Sequence, residues 1–381
     1  EKVNNFSPNI NSVIGIIPDT QELNTFNLAA EAKLQNKTVY IRQIISNKKS
    51  FKDDLQRFNW FLIKDGDQGI MSNEAKLKLS KLVQESNNFE NFKSWELPDG
   101  SKAKLYKRKK MNESIKIIDY DFSASELDLF FKNNNLTIKL RGNENIMNNS
   151  YLLVNAKNNE ENYEINIALP KIINLSKTNI ELTKNIYIEE DINLDNTYDL
   201  NCLLISKNRK KIPISIDKFI YNKNINTSVD EQFEINKIKE LEKMGKLLKN
   251  GDFDNLFNLV GLVNQSDPNQ EYLKDAEEIF KYRYALDKSN IDYLYSVAIS
   301  QILEKKSSEA SKTLQEIKKI DSYNPNLYLA KAIIDIYNFN PRKAEKNIQL
   351  AKSLNKNKSL EKTIETVNLI SNIINLRIRS F

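Results

Sequence analysis

The sequence predicts a multidomain α+β chain: a Rossmann-like α/β module over 1–110, an immunoglobulin-like β-sandwich over 111–226, and a tetratricopeptide-like α-helical solenoid over 227–381. Three observations predict it. Short apolar runs alternate with helical patterns up to Lys110, the hydrophobic period then switches to two, and after Asn226 the chain repeats itself at a shift of 34 residues. At 381 residues, 40% of them apolar, the chain is long enough for several cores and can fill them.

In the first segment Val13-Ile14-Gly15-Ile16-Ile17 is a continuous apolar run stopped by Pro18. Asp19 with Glu22 three positions on has the form of a helix cap and its reciprocal partner, so a helix is expected over 20–34. A second strand is expected over 38–45 and a short helix over 49–58. Trp60, Phe61, Leu62 and Ile63 in succession make 59–63 a central strand buried on both faces, ended by Asp65-Gly66-Asp67-Gln68-Gly69. A helix over 72–86 places Ala75, Leu79, Leu82 and Val83 on one stripe. Trp95 and Leu97 then lead into the turn Pro98-Asp99-Gly100 and out along Ala103, Leu105 and Tyr106. Strands separated by helices imply a mainly parallel sheet covered on both sides, here finished by an antiparallel hairpin at an edge.

The second segment alternates. Leu136, Ile138 and Leu140, then Tyr163, Ile165 and Ile167, then Ile212, Ile214 and Ile216 mark one dry face, with polar residues between them on the wet one. Further strands are expected over 115–122, 127–131, 151–155, 180–188 and 198–205, divided by Asn-rich turns, which suggests a sandwich of about seven or eight strands. Pro213 belongs on an edge or at a strand start.

In the third segment the 34-residue shift pairs Ala276 with Ala310 and Ala344, Phe280 with Leu314 and Ile348, and Leu286 with Ile320 and Leu354. Two helices that cross closely need a small side chain at the crossing, and alanine recurs there. Val260, Leu294 and Tyr328 recur at one offset of the first helices, and Ala298 and Ala332 supply the other small contact. These alanines, with Leu286, Ile320 and Leu354, are the expected packing positions of the repeat. Asn324-Pro325 is a helix-start signal. Residues 359–381 read as a helix that closes the stack.

Composition excludes several chemistries. There is no histidine, which removes Ser-His-Asp and Cys-His catalysis, imidazole acid–base chemistry and zinc sites built on histidine. The lone Cys202 cannot form an intramolecular disulfide and falls in a strand pattern where a small buried hydrophobe fits. With 57 basic against 51 acidic side chains the net charge is only +6. The runs Lys107-Arg108-Lys109-Lys110 and Arg209-Lys210-Lys211 read as solvated surface, so no nucleic-acid partner is expected.

Gly15 lacks the glycine-rich run that lets a backbone approach a pyrophosphate, which argues against dinucleotide binding. In open parallel sheets ligands sit beyond the carboxyl ends of the strands, a position that would gather Asp19, Thr20, Asn24, Asp65, Asp67 and Gln68 as candidate ligand-binding residues. The competing reading is a capping box at the first site and a tight loop at the second. Asp-Gly-Asp is also ordinary turn chemistry and lacks the remaining ligands of a calcium loop, so no metal, no cofactor and no catalytic residue is expected. Glu189-Glu190-Asp191 reads as a solvated turn. Tyr282, Tyr284, Tyr293, Tyr295 and Tyr337 either line a peptide groove or pack between repeats.

Three stretches carry a resemblance: Ile14-Gly15-Ile16-Ile17-Pro18-Asp19-Thr20-Gln21-Glu22-Leu23-Asn24, Asn59-Trp60-Phe61-Leu62-Ile63-Lys64-Asp65-Gly66-Asp67-Gln68-Gly69 and Trp95-Glu96-Leu97-Pro98-Asp99-Gly100-Ser101. In these the chain resembles the soluble region that follows the membrane helices in cyanobacterial glycosyltransferases of family 39, relatives of the dolichyl-phosphate-mannose protein mannosyltransferases. The resemblance covers about 10–110. It implies a non-catalytic extracytoplasmic accessory region, periplasmic or luminal, of a membrane glycosyltransferase that uses a lipid-linked sugar. Such a region would recognise a protein or glycan acceptor and be joined to the membrane by an upstream transmembrane part. It transfers no catalytic residue. The alternative is a secreted or membrane-tethered scaffold for protein–protein interaction acting through its helical repeats.

Overall fold

The computed structural model describes residues 1–44, 51–69, 73–120, 124–132, 135–158, 162–188, 199–222, 234–267, 270–356 and 358–379. Among them the chain is mixed α and β, with 13 helices, three sheets and a helical C-terminal region. It divides into two compact units, Glu1–Asn236 with Val263–Asn269 and Lys237–Leu262 with Gln270–Phe381.

The first unit opens with α1 (Lys2–Phe6), β1 (Ser12–Ile16), α2 (Thr25–Leu34), β2 (Val39–Gln43), α3 (Phe51–Arg57), β3 (Trp60–Lys64), α4 (Asn73–Glu85), β4 (Phe89–Glu96) and β5 (Lys102–Arg108). The five strands form one sheet in the order β2-β1-β3-β5-β4. β1 pairs in parallel with β2 and β3, while β5 is antiparallel to both β3 and β4. Successive side chains of a strand point to opposite faces. β3 accordingly sends Trp60 and Leu62 into a cluster with Ile14, Ile16 and Leu105, and Phe61 and Ile63 into a second cluster with Phe58, Leu79 and Val83. Every residue of β3 is buried, and full burial of each large apolar side chain contributes about 1.5–3 kcal/mol.

Two expectations are corrected here. The first helix starts at Thr25 with Asn24 as its cap, the Asn24 side chain accepting from the Asn27 N–H at 3.0 Å. Asp19 and Glu22 make no capping box, because Asp19 is still paired as extended backbone with Gly69. The basic run at 107–110 is not simply solvated surface. Arg108 is 2% exposed, and its guanidinium donates to the carbonyls of Leu55 and Phe58 and lies over the Phe89 ring. Burial lowers it to about 10, with the charge of Glu234 acting against that shift.

The unit continues with β6 (Glu113–Ile117), β7 (Ser125–Lys132), β8 (Asn135–Asn143), α5 (Glu144–Asn148), β9 (Ser150–Lys157), β10 (Asn162–Ala168), β11 (Asn179–Tyr187), β12 (Asp199–Ser206), β13 (Lys211–Ile212), β14 (Ile214–Asn222) and β15 (Glu234–Ile235). A four-stranded antiparallel sheet runs β10-β9-β12-β13, and a six-stranded one runs β14-β7-β8-β11-β15 with β6 also on β11. Their inward residues share one apolar cluster, Leu127, Leu129, Leu136, Ile138 and Leu140 from one sheet meeting Leu152, Val154, Ile165, Cys202 and Leu204 from the other. Period-two alternation fixes this: β8 reads buried at every second position.

The second unit is helical: α6 (Lys237–Asn250), α7 (Phe253–Ser266), which spans the division, α8 (Tyr272–Leu286), α9 (Asp292–Leu303), α10 (Ser307–Ile320), α11 (Pro325–Tyr337), α12 (Pro341–Leu354) and α13 (Glu361–Arg379). From α8 onward each helix packs against the next, and α6 lies against both α9 and α11. Asn324 caps α11, accepting from the Asn326 N–H at 3.0 Å, with Pro325 in the first turn. Among the described residues no helix is long and apolar enough to cross a membrane.

Candidate functional site

The carboxyl ends of β1 and β3 lie where the strand order reverses, the usual ligand crevice of an open parallel sheet. Here the crevice is filled by the chain itself. The Asp19 N–H donates to the Gln68 carbonyl at 2.9 Å, and Asp19 bridges Gly69 in parallel beyond the strand ends. Gly69 has φ +102°, and any Cβ there would collide with the Asp19 carbonyl. Gly15 is a packing glycine, since a Cβ would stand 2.5 Å from Ile44 Cδ1.

The six candidate residues are placed as follows. Thr20 and Asn24 build the turn before α2: Thr20 Oγ1 accepts from the Leu23 N–H at 3.2 Å, and Asn24 Nδ2 donates to the Thr20 carbonyl at 3.1 Å. Asp65 pairs with Lys104 of β5 at 2.7 Å. Asp67 Oδ1 accepts from the Gly69 N–H at 3.1 Å within its own loop. Gln68 is fully buried, with Nε2 donating to the Lys64 and Gly66 carbonyls at 2.6 and 2.8 Å and Oε1 accepting from Ser80 at 3.3 Å. Asp19, Gln68 and the Asp67 loop are thus brought together, while Asp65 is directed to β5. Among the described residues no cluster of Cys, Asp and Glu could hold a metal. The acidic run at 189–191 lies outside the described residues.

Sequence reasoning missed Lys76. It is 7% exposed, donates to the Gln68 carbonyl at 3.4 Å, and is pulled below its ordinary value by burial, with Asp19 and Asp67 opposing. The signal was present. Positions 76, 79, 80 and 83 are the buried face of α4, and the half-buried Ala75 and Leu82 pack against the same cluster as Leu79 and Val83, so the expected stripe widens to take in Lys76 and Ser80.

In the helical unit Ala276, Ala310 and Ala344 are fully buried, as are Ala298 and Ala332. Leu286 and Ile320 are corrected: they are the last residues of α8 and α10, where the helix runs past its neighbour, and are 66% and 57% exposed. Leu354, which ends α12, is half-buried. Of the tyrosines, Tyr293 and Tyr295 are buried, Tyr282 and Tyr284 are half-buried and Tyr337 is exposed. Tyr295 donates to Asp321 at 2.8 Å, and burial followed by that carboxylate raises its phenol above the ordinary value.

The α9/α11 face presents a set of polar groups at one end. Asn324 Nδ2 and Asn326 Nδ2 both donate to the Lys249 carbonyl of α6, at 3.0 and 2.8 Å. Lys249 Nζ pairs with Asp292 at 2.7 Å. These groups read a helix end: the last carbonyls of a helix have no intrahelical donor, and carboxamides supply one.

No protein-family model matches this chain, and no curated protein matches it. One solved structure to which it is similar is the Yersinia enterocolitica type III secretion chaperone SycD in complex with a peptide of the translocator YopD. It is 17% identical, and the match covers 37% of this chain and 98% of that one at a TM-score of 0.26.

A second polar cluster lies within the same unit. Glu277 accepts from Lys281, Gln301 and Lys306 at 2.6, 2.8 and 2.8 Å, and Lys306 also meets Glu304 at 2.7 Å. Burial works against ionisation of Glu277, but the two ammonium groups and the Gln301 amide hold it down to about 2. Burial and the neighbouring Glu277 push Glu304 up. Thr313 donates to Gln301 Oε1 at 2.8 Å, so this cluster ties α8, α9 and α10 together rather than facing a ligand.

Proposed function

We propose that this chain is a non-catalytic binding module whose tetratricopeptide-like helical unit engages a protein segment, with a Rossmann-like module and a β-sandwich as its companion domains. The observation that carries the reading is the stack of paired helices from α8 to α12, with Ala276, Ala310 and Ala344 fully buried at the recurring positions. In the α/β sheet, Asp65 pairs with Lys104 of β5 and Asp67 accepts within its own loop. The test is retention of arrayed peptides and arrayed glycans by the full chain, compared with its variant at the exposed Tyr337, Tyr337→Ala. Peptides held by the parent and lost by the variant support the reading; retention of glycans alone defeats it.

A second reading is the extracytoplasmic accessory region of a membrane glycosyltransferase with a lipid-linked donor. What favours it is that the three stretches carrying that resemblance touch one another: Asp19 bonds Gln68, and Lys64 of the second pairs with Asp99 of the third at 2.7 Å. Their side chains would then form one recognition edge for the acceptor. Glycan retention abolished by Asp99→Ala would favour this reading over the first.

A further inference from the structure

The 34-residue register sets an apolar residue at the last position of α8, α10 and α12, where Leu286 and Ile320 are exposed and Leu354 is half-buried. Apolar side chains scattered singly on a surface call for no explanation, but here one recurs in three successive repeats without entering the core. Neighbouring helices joined by short turns run antiparallel, so all three tips lie at the end of the unit where α9, α11 and α13 begin. The bonds agree: Tyr295 in the first turn of α9 donates to Asp321, just past α10, and accepts from Asn324, which caps α11. Tyr323, in the turn between α10 and α11, adds a ring that is 85% exposed.

Exposed ammonium groups surround the tips: Lys288 after Leu286, Lys319 before Ile320, and Lys352, Lys356 and Lys358 around Leu354. A lysine in the last turn of a helix complements the helix dipole, which accounts for Lys319 and Lys352. It does not account for Lys288, Lys356 and Lys358, which lie beyond the helix ends, or for the apolar tips between them. Three carboxylates at this end are engaged by the protein itself, Asp287 accepting from Ser289, Asp321 from Tyr295 and Asn324, and Asp292 from Lys249. Glu361, in the first turn of α13, stands exposed against the five ammonium groups. The rim is therefore apolar at its tips and basic around them, and the tips project past the neighbouring helices rather than line a cleft.

We propose that this end of the stack docks on an anionic lipid surface, with Leu286, Ile320 and Tyr323 entering the headgroup region and the surrounding lysines facing the lipid phosphates. The residue types suit that depth. A tyrosine ring tipped by a hydroxyl and a lysine stem tipped by an ammonium both bridge an apolar layer and a polar one. A row of tips on successive hairpin ends fits a plane, whereas a peptide is held by a groove that encloses it. The inference goes beyond the binding-module reading and does not rest on it: Tyr337, on which that reading is tested, closes α11 at the opposite end of the stack.

The test is flotation of the full chain with vesicles of phosphatidylcholine alone or of phosphatidylcholine with about 30% phosphatidylglycerol. The chain is expected to float with the anionic vesicles, to partition at least about tenfold less onto the neutral ones, and to be released at about 0.5 M salt. Leu286→Ser/Ile320→Ser/Tyr323→Ser lowers partition onto the anionic vesicles at least about tenfold. Phe339→Ser, also exposed but in the turn at the opposite end of α11, leaves it unchanged. Lys352→Gln/Lys356→Gln/Lys358→Gln, a second variant confined to exposed side chains, lowers it in the same direction. No flotation with either vesicle, equal flotation with both, or anionic binding that both rim variants keep overturns the proposal. An acidic peptide retained by the parent and lost by the rim variants, without flotation, also overturns it and assigns the rim to a protein segment. Peptide retention lost in Tyr337→Ala without flotation leaves the binding-module reading standing alone; flotation without any peptide retained leaves this proposal standing without that reading.

Discussion

The backbone N–H of Asp19 donates to the carbonyl of Gln68 at 2.9 Å, and with the Asp19–Gly69 bridge beside it this bond closes the crevice between β1 and β3. Two strands that would normally part around a ligand stay zipped past their ends. The glycine that permits it is Gly69, not Gly15.

Gly69→Ala therefore sets a methyl against the Asp19 carbonyl in a left-handed backbone and costs about 2–3 kcal/mol. Gly66, also at positive φ but facing open space, loses only about 1 kcal/mol on the same change. Urea denaturation midpoints of the two variants check the difference. Equal losses would mean that the closure between the strands is not what Gly69 serves.

Ala310→Leu overpacks a fully buried helix crossing and costs about 1–3 kcal/mol. Ile320→Ala, at the exposed end of the same helix, stays within about 0.5 kcal/mol. The pair of midpoints tests whether the repeat packs through its alanines.

Acid should weaken the helical unit through Glu277. Its folded-state carboxyl is held down to about 2, below the ordinary glutamate value of 4.5, so its contribution is present above pH 4.5 and is lost as pH falls toward 2. Glu304 is shifted upward, so its contribution has the opposite sign and is lost as pH rises. Glu277→Gln flattens the acid limb of a stability-versus-pH profile measured by urea denaturation; an unchanged acid limb would assign that loss to other carboxylates.

Cys202 lies in the core shared by the four-stranded and six-stranded sheets, and burial pushes its thiol up to about 12. The thiolate is the nucleophile, so iodoacetamide at pH 8 leaves the native chain unmodified and alkylates it fully in urea. Rapid native alkylation would show that this core opens readily.

Periodicity made much of the architecture legible. Apolar succession marked β3, alternation marked β8 and β10, and the 34-residue recurrence marked the alanines of α8, α10 and α12. What it could not carry were features set by distant partners. Asp19 and Glu22 have the spacing of a capping box, but pairing of Asp19 with 68–69 keeps the backbone extended and hands the cap to Asn24. Arg108 reads as a surface charge, and Lys76 carries no signal of its own, because a sequence does not show which carbonyls and rings surround them. Leu286 and Ile320 recur in register yet reach the helix ends, where recurrence continues and contact does not. The packing of α6 on α9 was invisible for the same reason, since a Cβ at Gly245 would stand 2.5 Å from Oγ of Ser296, 51 positions away.

The most direct test of the binding-module account is hydrogen exchange on the full chain saturated with a peptide it retains from the array. The account predicts altered exchange within the helical unit. Changes confined to 14–24, 59–69 and 95–101, with the helical unit untouched, would contradict it.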